Sequence, residues 1–326
     1  MGFRTVTIEA PSRLHFGLMS FGGPAGQLSF GGVGLMVDRP GLRLTVRPAK
    51  RLAVSGPMAD RVQNTIETWS RHRRKGQTIP VELHVDRAPA PHVGLGSGTQ
   101  LVLSVVRALE MFHDEVETPI ESLAAEFGRA KRSAIGTYGF KLGGFIMEHG
   151  RREEGVIAPL ACHYDVPTEW QFVLFRPIEQ QGLSGAAEQD WFAKATPVSA
   201  ETTRWLREKA EQEMVPALER RDVDAFGEAV YEYGLRAGAC FSGKLKGGSF
   251  ATPTLARWVS IARELGVRGI GQSSWGPTLF AILPDANAAR RFAEQFVEAA
   301  RVPADQLRIE FSPANPSGAT CVVEDD

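Results

Sequence analysis

A run of alternating glycines is the segment of this sequence best suited to chemistry. Residues 91–99 read PHVGLGSGT, and an apolar stretch typical of a helix follows directly. Alternating glycines let backbone amides converge on one point, and a helix N-terminus adds free N–H groups and positive dipole character. The pattern predicts a phosphate-binding loop, with Thr99 also a candidate helix N-cap. The predicted loop residues are Gly94, Gly96, Ser97, Gly98 and Thr99.

The loop matches neither of two common nucleotide-binding motifs. Thr99 stands where a GxGxxG motif needs its last glycine, and no Gly-Lys-Ser/Thr triplet closes a Walker A loop. A tight turn whose glycines adopt positive φ angles without any ligand is the alternative interpretation. Three glycines with two hydroxyl side chains favour the anion site over this alternative.

Charged side chains elsewhere could complete such a site. Arg13 and His15 are two residues apart at the end of the first predicted strand, so an extended backbone puts both on one face. Arginine binds phosphate or carboxylate through paired N–H groups, and histidine can move a proton or bind an anion. A surface pair at a strand end explains these residues equally well. Lys141, in a glycine-rich stretch over residues 133–145, is a further candidate phosphate cation.

A second glycine-rich turn occurs late in the chain. Residues 269–280 read GIGQSSWGPTLF, a hydroxyl-bearing turn that leads into an apolar strand. The pattern indicates a loop that packs against, or closes over, a ligand held by the first half of the chain. Its candidate contacts are Gln272, Ser273 and Ser274. A hairpin connection with a packing tryptophan is the alternative.

Strands dominate the predicted elements near the start of the chain. Period-two patterns predict strands at residues 6–10, 42–46 and 81–85, and a functional loop is expected over residues 22–34. A buried helix is predicted over residues 99–112, directly after the phosphate loop. These elements therefore place the loop between a strand and a helix.

Helices dominate the later part of the sequence. They are predicted over residues 120–130, 201–220, 223–239, 252–265 and 286–300, with short strands between some of them. This order lacks strict strand–helix alternation, so it favours an α+β fold over a doubly wound parallel sheet. A break in the apolar pattern near residue 180 predicts two lobes, residues 1–180 and 181–326.

Composition excludes several classes of protein. Lys and Arg number 37 against 38 Asp and Glu, so no overall basic excess is available for a nucleic acid or an anionic membrane. Cys162, Cys240 and Cys321 lie far apart without a CxxC pair, which argues against disulfides and structural zinc. No secretion signal and no apolar run long enough to span a membrane is present. A cytoplasmic protein is therefore expected.

Four segments together resemble one known family. They are SRLHFGL, HVGLGSGTQ, a run of the form FxxGGFI and GQSSWGPTLFAI. In this order they resemble the GHMP kinase superfamily, and more closely its β-ribofuranosylaminobenzene 5'-phosphate synthase branch, over nearly the whole chain. The resemblance implies an N-terminal lobe like ribosomal S5 domain 2, a C-terminal ferredoxin-like α+β lobe, and an active site between them.

The resemblance also implies a reaction. Phosphoribosyl pyrophosphate and 4-aminobenzoate would form a C-riboside with release of carbon dioxide and pyrophosphate, in methanopterin-type cofactor synthesis by a homodimer; 4-hydroxybenzoate stays open as the acceptor. The loop would hold phosphate, and Mg²⁺ would offset its charge. Arg13, His15 and Lys141 suit the cationic roles of this reaction. Asp38 is the candidate for Mg²⁺ or for the developing ribosyl cation, and a turn carboxylate before Arg39 is the alternative.

Two competing functions remain at this point. One is an ATP-dependent small-molecule kinase of the same superfamily, and the other is a non-catalytic protein that binds a phosphorylated ligand. Kinases of the superfamily commonly place an Asp in the segment after the loop helix, whereas residues 133–145 contain neither Asp nor Glu. Ribosylation of a ring carbon with loss of carbon dioxide needs no proton taken from the ring, so the missing carboxylate favours the synthase.

Overall fold

Two β-sheets and the helices packed on them organise the part of the chain that the computed structural model describes. That part comprises residues 4–23, 26–77, 79–153, 155–178, 185–241, 247–303 and 305–325, with the backbone alone for 185–189. Strands and helices follow one another in mixed order, and most strand pairs are antiparallel. The α+β prediction is therefore confirmed.

The first sheet has seven strands within the described residues, in the order β11-β1-β2-β4-β3, with β5 and β6 continuing from β2. The strands are β1 (Arg4–Ser20), β2 (Phe30–Pro48), β3 (Ala53–Ser55), β4 (Val81–Arg87), β5 (Phe145–Glu148), β6 (Leu160–Tyr164) and β11 (Thr320–Asp325). The helices of this half are α1 (Ala59–Arg73), α2 (Ser97–Phe112), α3 (Ile120–Glu126) and α4 (Ile135–Leu142). Helix α2 packs on β1 and β2, and it buries the apolar face predicted from its sequence.

The long pair β1–β2 positions the first charged residues. Strand β2 begins at Phe30, so the functional loop expected over residues 22–34 is shorter than predicted. Gly34 pairs with His15, and a side-chain carbon at Gly34 would collide with the Leu14 carbonyl oxygen. The glycines from which a loop was predicted therefore allow strands β1 and β2 to approach each other closely. The register of β1 shifts between His15 and Gly17, which bends the strand beside His15.

The second sheet has four antiparallel strands in the described part of the chain, in the order β10-β7-β9-β8. They are β7 (Gln171–Pro177), β8 (Gly269–Gln272), β9 (Leu279–Leu283) and β10 (Leu307–Pro313). The helices of this half are α5 (Gly185–Lys194), α6 (Ala200–Lys209), α7 (Val215–Glu219), α8 (Val223–Ala239), α9 (Pro253–Glu264) and α10 (Ala286–Ala300). A π-helical segment, Ala210–Met214, joins α6 to α7.

Helices α8 and α10 have the bounds that the sequence predicts. Asp222 and Asp285 precede them; the Asp222 carboxylate accepts from one backbone N–H group of the first turn and the Asp285 carboxylate from two. Such caps satisfy donors that have no partner within the helix, so each helix begins directly after its aspartate.

A shared apolar core joins the two sheets. Phe16 of β1 and Phe280 of β9 have ring centroids 5.3 Å apart, and Phe226 of α8 contacts Trp170 at 5.2 Å. The lobe boundary predicted near residue 180 lies outside the described residues and stays a prediction. Neither sheet is confined to one side of that point. Strand β7, which precedes it, belongs to the second sheet, and β11, which follows it, pairs with β1 of the first sheet.

Candidate active site

The predicted phosphate loop lies between β4 and α2, where it lines a cleft. Helix α2 begins at Ser97, after Gly96 in a left-handed conformation with a φ of 71°. The N–H groups of Thr99 and Gln100 both donate to the Gly96 carbonyl oxygen, so those of Ser97 and Gly98 precede the first helical hydrogen bond. The prediction that Thr99 caps the helix is wrong, because Gly96 turns the chain three residues earlier. The uncapped first turn presents N–H groups as an anion-binding end does.

The late glycine-rich turn packs against this loop through main-chain contacts, and it is also the β8–β9 hairpin connection. The Ser273 hydroxyl donates to the Gly94 carbonyl oxygen at 2.7 Å and accepts from the His15 N–H at 3.0 Å. Gly276 lies so close to the Gly94 backbone that a side-chain carbon at either glycine would collide with the other segment. Gln272 and Ser274 line the cleft, whereas Ser273 is buried behind it.

Arg13 and His15 face the same cleft from β1. The Arg13 N–H donates to the Leu95 carbonyl oxygen at 3.0 Å, and its guanidinium donates to the Gly94 carbonyl oxygen at 3.3 Å. The His15 carbonyl oxygen accepts from the Ser274 N–H at 3.0 Å. Three segments that are distant in sequence therefore meet at one point.

Glu148, a buried carboxylate that the sequence analysis did not select, lies beneath the point where these three segments meet. His15 Nε2 lies 3.1 Å from the Ser133 hydroxyl, and the neighbouring Ala134 N–H donates to Glu148 at 2.7 Å. Burial raises the pKa of Glu148 to about 7, against the opposing effects of Ala134, Ser133 and Arg13. Burial, and then the charge of Arg13, lower the pKa of His15 well below its usual value. His15 is therefore neutral at pH 7 and acts as a hydrogen-bonding group.

Arg61 and Arg129 add cations that the sequence analysis did not select. A side-chain carbon at Gly98 would lie 3.0 Å from Arg61 Nη1 and 3.6 Å from Arg129 Nη1, so both guanidinium groups stand over the first turn of α2. Burial and the adjacent Arg61 lower the pKa of Arg129. Two neighbouring cations repel each other, and a bound anion would relieve that repulsion. We call residues 94–99, with these two arginines and Arg13, the polar end of the cleft.

Aromatic rings also line the cleft. Phe192, Phe241 and Trp275 line it, and the Arg132 guanidinium lies 4.9 Å from the centroid of the Phe192 ring. We call these four residues the aromatic end. The whole cleft has a volume of about 490 Å³, within the range of small-molecule sites.

The structure does not bring two predicted site residues, Asp38 and Lys141, to this cleft. The Asp38 carboxylate accepts a 2.8 Å hydrogen bond from the Asn315 amide, which ties β2 to the connection between β10 and β11. Lys141 is exposed in the last turn of α4. The expectation that both act at the site is therefore corrected, and Asp38 is a strand carboxylate that accepts a hydrogen bond from Asn315 rather than the turn carboxylate of the alternative.

The chain is similar to proteins of known family. A family profile described as "GHMP kinases C terminal" matches residues 214–301. The beta-ribofuranosylphenol 5'-phosphate synthase of Methanothermobacter thermautotrophicus is 30% identical over 309 residues, which cover 88% of this chain and 92% of that protein. The protein of the same name from Archaeoglobus fulgidus is 29% identical over 310 residues, with 89% and 92% covered.

This chain belongs to the beta-ribofuranosylphenol 5'-phosphate synthase family. The resemblance drawn from the four sequence segments is confirmed, and the chain is an enzyme of the synthase type. The curated relatives support the synthase more strongly than the superfamily kinase. Among the described residues of this synthase, no helix has the length and apolarity needed to cross a bilayer.

Solved structures confirm the predicted GHMP-type fold of the synthase. Homoserine kinase from Cytophaga hutchinsonii superposes with a TM-score of 0.67 at 15% identity, covering 98% of this chain and 97% of that one. Mevalonate diphosphate decarboxylase from Staphylococcus aureus superposes with a TM-score of 0.62 at 13% identity, with 98% of both chains covered. At these identities the likeness concerns the fold alone.

The charge of the synthase cleft is one-sided. Its described lining includes five Lys or Arg side chains and no Asp or Glu. Nor do the described residues contain a cluster of three or more His, Cys, Asp or Glu side chains able to hold a metal ion. Magnesium sites in proteins use one or two carboxylates beside substrate phosphates, so these residues do not fit a magnesium ion held by the protein.

Proposed function

We propose that this enzyme joins phosphoribosyl pyrophosphate to a para-substituted benzoate and releases carbon dioxide and pyrophosphate. The observation that carries the proposal is a single cleft whose lining includes both the polar end and the aromatic end. A phosphate loop with three arginines suits a sugar that carries a phosphate and a pyrophosphate. Aromatic walls suit a benzoate ring.

The proposed bond changes need no general base. The C1–O bond of the ribose breaks and its electron pair leaves with pyrophosphate. A π pair of the ring forms the new bond to C1 from the carbon that bears the carboxylate. The bond to that carboxylate then breaks, carbon dioxide leaves, and the electron pair restores the aromatic ring. The described lining of the cleft is cationic and contains no carboxylate, which supports such a reaction because positive charge stabilises departing pyrophosphate.

For the acceptor we propose 4-hydroxybenzoate. The relatives are named for a ribofuranosylphenol, and loss of carbon dioxide from 4-hydroxybenzoate leaves a phenol. The family resemblance implied 4-aminobenzoate, which would leave an aniline. The two acids differ only in the para substituent, so a direct competition between them decides the acceptor.

Three further features belong to this proposal. We propose that Mg²⁺ enters as the counter-ion of pyrophosphate rather than on Asp38, because Asp38 is engaged by Asn315. We also propose a cytoplasmic homodimer and a role in making a methanopterin-type cofactor, as the resemblance implies. The polar end then contributes hydrogen bonds and charge, while neutral His15 holds the loop and turn together.

The test supplies the purified protein with phosphoribosyl pyrophosphate, Mg²⁺ and carboxyl-labelled 4-hydroxybenzoate or 4-aminobenzoate. We expect labelled carbon dioxide and pyrophosphate in equal amounts, with 4-hydroxybenzoate the faster acceptor. ATP consumption with a small alcohol, and no carbon dioxide, would instead identify a kinase. Tight binding of phosphoribosyl pyrophosphate with no turnover of any substrate would identify a binding protein.

A further inference from the structure

A chain of three polar side chains leads from the cleft into the core. His15 and Ser133 line the cleft, and His15 Nε2 lies 3.1 Å from the Ser133 hydroxyl oxygen. Glu148 is fully buried, and its Oε2 accepts a 2.7 Å hydrogen bond from the Ala134 N–H. The Ser133 hydroxyl is close enough to this carboxyl group to favour its charged form. We call His15, Ser133 and Glu148 the relay.

The Ser133 hydroxyl has few hydrogen-bonding positions to share. Its oxygen accepts from the Ile135 N–H at 3.3 Å, which leaves one lone pair and one proton. His15 is neutral at pH 7, so Nε2 either carries a proton or accepts one. If Ser133 donates to Nε2, its remaining lone pair can accept from a protonated Glu148. If Ser133 donates to an ionised Glu148, it accepts from the Nε2–H of His15 instead.

The Glu148 carboxyl group has one oxygen without a fixed partner. Its Oε1 is buried, and no residue in the described part of the chain bonds to it. A charged oxygen in that position lacks both water and a donor, whereas a protonated one can turn its O–H toward Ser133. Burial accordingly raises the pKa of Glu148 to about 7. Both forms of the carboxyl group are therefore accessible near neutral pH.

The charges around Glu148 determine how a ligand acts on it. The titratable or charged side chains that face it, directly or through Ser133, are Arg13 and His15 of β1, Tyr138 of α4, Tyr233 of α8 and Arg151 after β5. The two arginines favour the charged form of Glu148. Burial raises the pKa of both tyrosines, so they stay neutral at pH 7. Because Arg13 belongs to the polar end, an anion bound there offsets its charge and favours neutral Glu148.

We propose that Glu148 is a positioning residue that acts through Ser133 to determine which ring nitrogen of His15 carries the proton. With Glu148 neutral, Ser133 donates to Nε2 and the His15 proton is on Nδ1. With Glu148 ionised, the proton is on Nε2. An anion at the polar end selects the first arrangement, so its binding is accompanied by transfer of a proton from solvent to Glu148. This inference rests on the proposed function for the identity of that anion, the pyrophosphate group.

The first experiment observes the His15 tautomer directly. In protein with ¹⁵N-labelled histidine, a ring nitrogen that carries a proton resonates far upfield of one that does not, and the His15 signals are those absent from His15→Gln. We expect the wild type to change from the Nδ1–H form to the Nε2–H form between about pH 6 and about pH 8. Glu148→Gln keeps one tautomer throughout, because an amide does not ionise. Added pyrophosphate at about pH 8 shifts the wild type back toward the Nδ1–H form.

Glu110→Gln provides the matched control. Glu110 is also fully buried, burial also raises its pKa, and its Oε1 also has no hydrogen-bond partner among the described residues. It lies in α2 and pairs with Arg107, away from the relay. Glu110→Gln should therefore leave the pH response of His15 unchanged.

Two substitutions at Ser133 test the connection itself. Ser133→Ala removes the hydroxyl, so His15 should no longer respond to pH between about 6 and about 8, although Glu148 is still present. Ser133→Thr keeps a hydroxyl and should restore the response. Thermal melting of all the variants verifies that each is folded.

The second experiment counts the protons taken up when pyrophosphate binds. Calorimetry at pH 7 in two buffers of different ionisation enthalpy gives this number. Pyrophosphate itself titrates, so the quantity of interest is the difference between variants. The wild type should take up about half a proton more than Glu148→Gln, because about half of the Glu148 groups are ionised when the pH equals their pKa. Glu110→Gln should match the wild type.

These outcomes separate the relay from the reaction. If no product forms but His15 and the proton count behave as expected, the reaction is wrong and the relay stands. If His15 of the wild type keeps one tautomer across the pH range, or if Ser133→Ala responds as the wild type does, the relay is overturned whether or not product forms. Equal proton uptake by the wild type and Glu148→Gln also overturns it. If pyrophosphate does not bind, the pH response of His15 alone decides.

Discussion

At the polar end of the cleft, backbone N–H groups of the first turn of α2 and three guanidinium groups surround one small volume. At the aromatic end, side-chain rings pack edge to face against one another. A site of the first kind binds an anion through charge and direction, so it tolerates little movement of the main chain. A site of the second kind binds through contact area, so it can adjust by rotation of side chains. We therefore expect substitutions to act steeply at the polar end and gradually at the aromatic end.

The largest effect is expected from Gly94→Ala, which tests whether the polar end depends on main-chain fit. The new methyl group would collide with the Ser273 carbonyl oxygen. Loop and turn must separate, and we expect pyrophosphate affinity, measured by calorimetry, to fall at least about a hundredfold, a loss comparable to two strong hydrogen bonds.

Gly76→Ala provides the control for Gly94→Ala. Gly76 has a similar positive φ of 79°, but a methyl group there would meet no atom within 4 Å. It should lose about 1–2 kcal/mol of stability through backbone strain alone, with pyrophosphate affinity unchanged. Equal losses of affinity in both variants would show that main-chain fit is not the cause.

A smaller effect is expected from Arg61→Gln, which tests the charge of the polar end. Removing one guanidinium above the first turn of α2 should weaken pyrophosphate binding about tenfold and reduce its salt dependence. Benzoate affinity should not change. Arg71→Gln is the control, because Arg71 is exposed in the last turn of α1, the helix that also carries Arg61. If Arg71→Gln weakens binding as much, overall charge rather than position is responsible.

We expect Glu148→Gln to have the smallest effect on ligand binding. This variant tests the buried carboxylate beneath the polar end through the pH dependence of stability. Burial raises the folded-state pKa of Glu148 to about 7, above its ordinary value of 4.5, so the folded protein binds more protons than the unfolded chain between these values. The contribution of Glu148 to stability therefore falls as pH rises from 4.5 to about 7, by about 3 kcal/mol, and is constant above.

Urea denaturation of the wild type and Glu148→Gln at several pH values measures this effect. The variant should gain stability relative to the wild type as pH rises to about 7. His15 contributes with the opposite sign: its folded-state pKa lies well below the ordinary value of 6.5, so below about pH 6.5 the unfolded chain binds a proton that the folded protein does not, and stability falls as pH falls. A difference between the two proteins that stays constant from pH 5 to pH 8 would contradict the buried-carboxylate assignment.

The two ends of the cleft also differ in how far the sequence predicts them. The loop of the polar end contributes backbone groups, so its glycines form one contiguous stretch of sequence. Residues 94–99 could therefore be identified from the sequence alone. The rings of Phe192, Phe241 and Trp275 come from three distant segments, and apolar residues there are indistinguishable from core residues before the chain is folded. Only the third lay in a segment that the sequence analysis had selected.

Charged residues were the least predictable part of the site. Arg61 occupies an ordinary exposed position in α1, whereas the run from Arg129 to Arg132 carried a usable signal, three cations within four residues directly before Ser133. Asp38 was selected only because the expected reaction calls for a carboxylate. In the structure its carboxylate accepts a hydrogen bond from Asn315.

The fold itself was predictable where local signals agreed. Helices α8 and α10 combine an apolar face with an aspartate cap, and their bounds match the prediction. Strand β2 starts earlier than predicted, because Gly34 is required by contact with the neighbouring strand rather than by a turn. Such contacts between distant segments are invisible in a single sequence.

The Ser273 hydroxyl, which joins the His15 N–H to the Gly94 carbonyl oxygen, has a thermodynamic consequence for binding. A glycine-rich loop without such a tie loses conformational entropy each time it closes around an anion, and that loss opposes association. Here the loop is already ordered when the chain folds, so the entropic cost belongs to folding rather than to each catalytic cycle. In the proposed reaction, release of pyrophosphate would then require no reordering of the loop, and the loop would be ready at once for the next substrate.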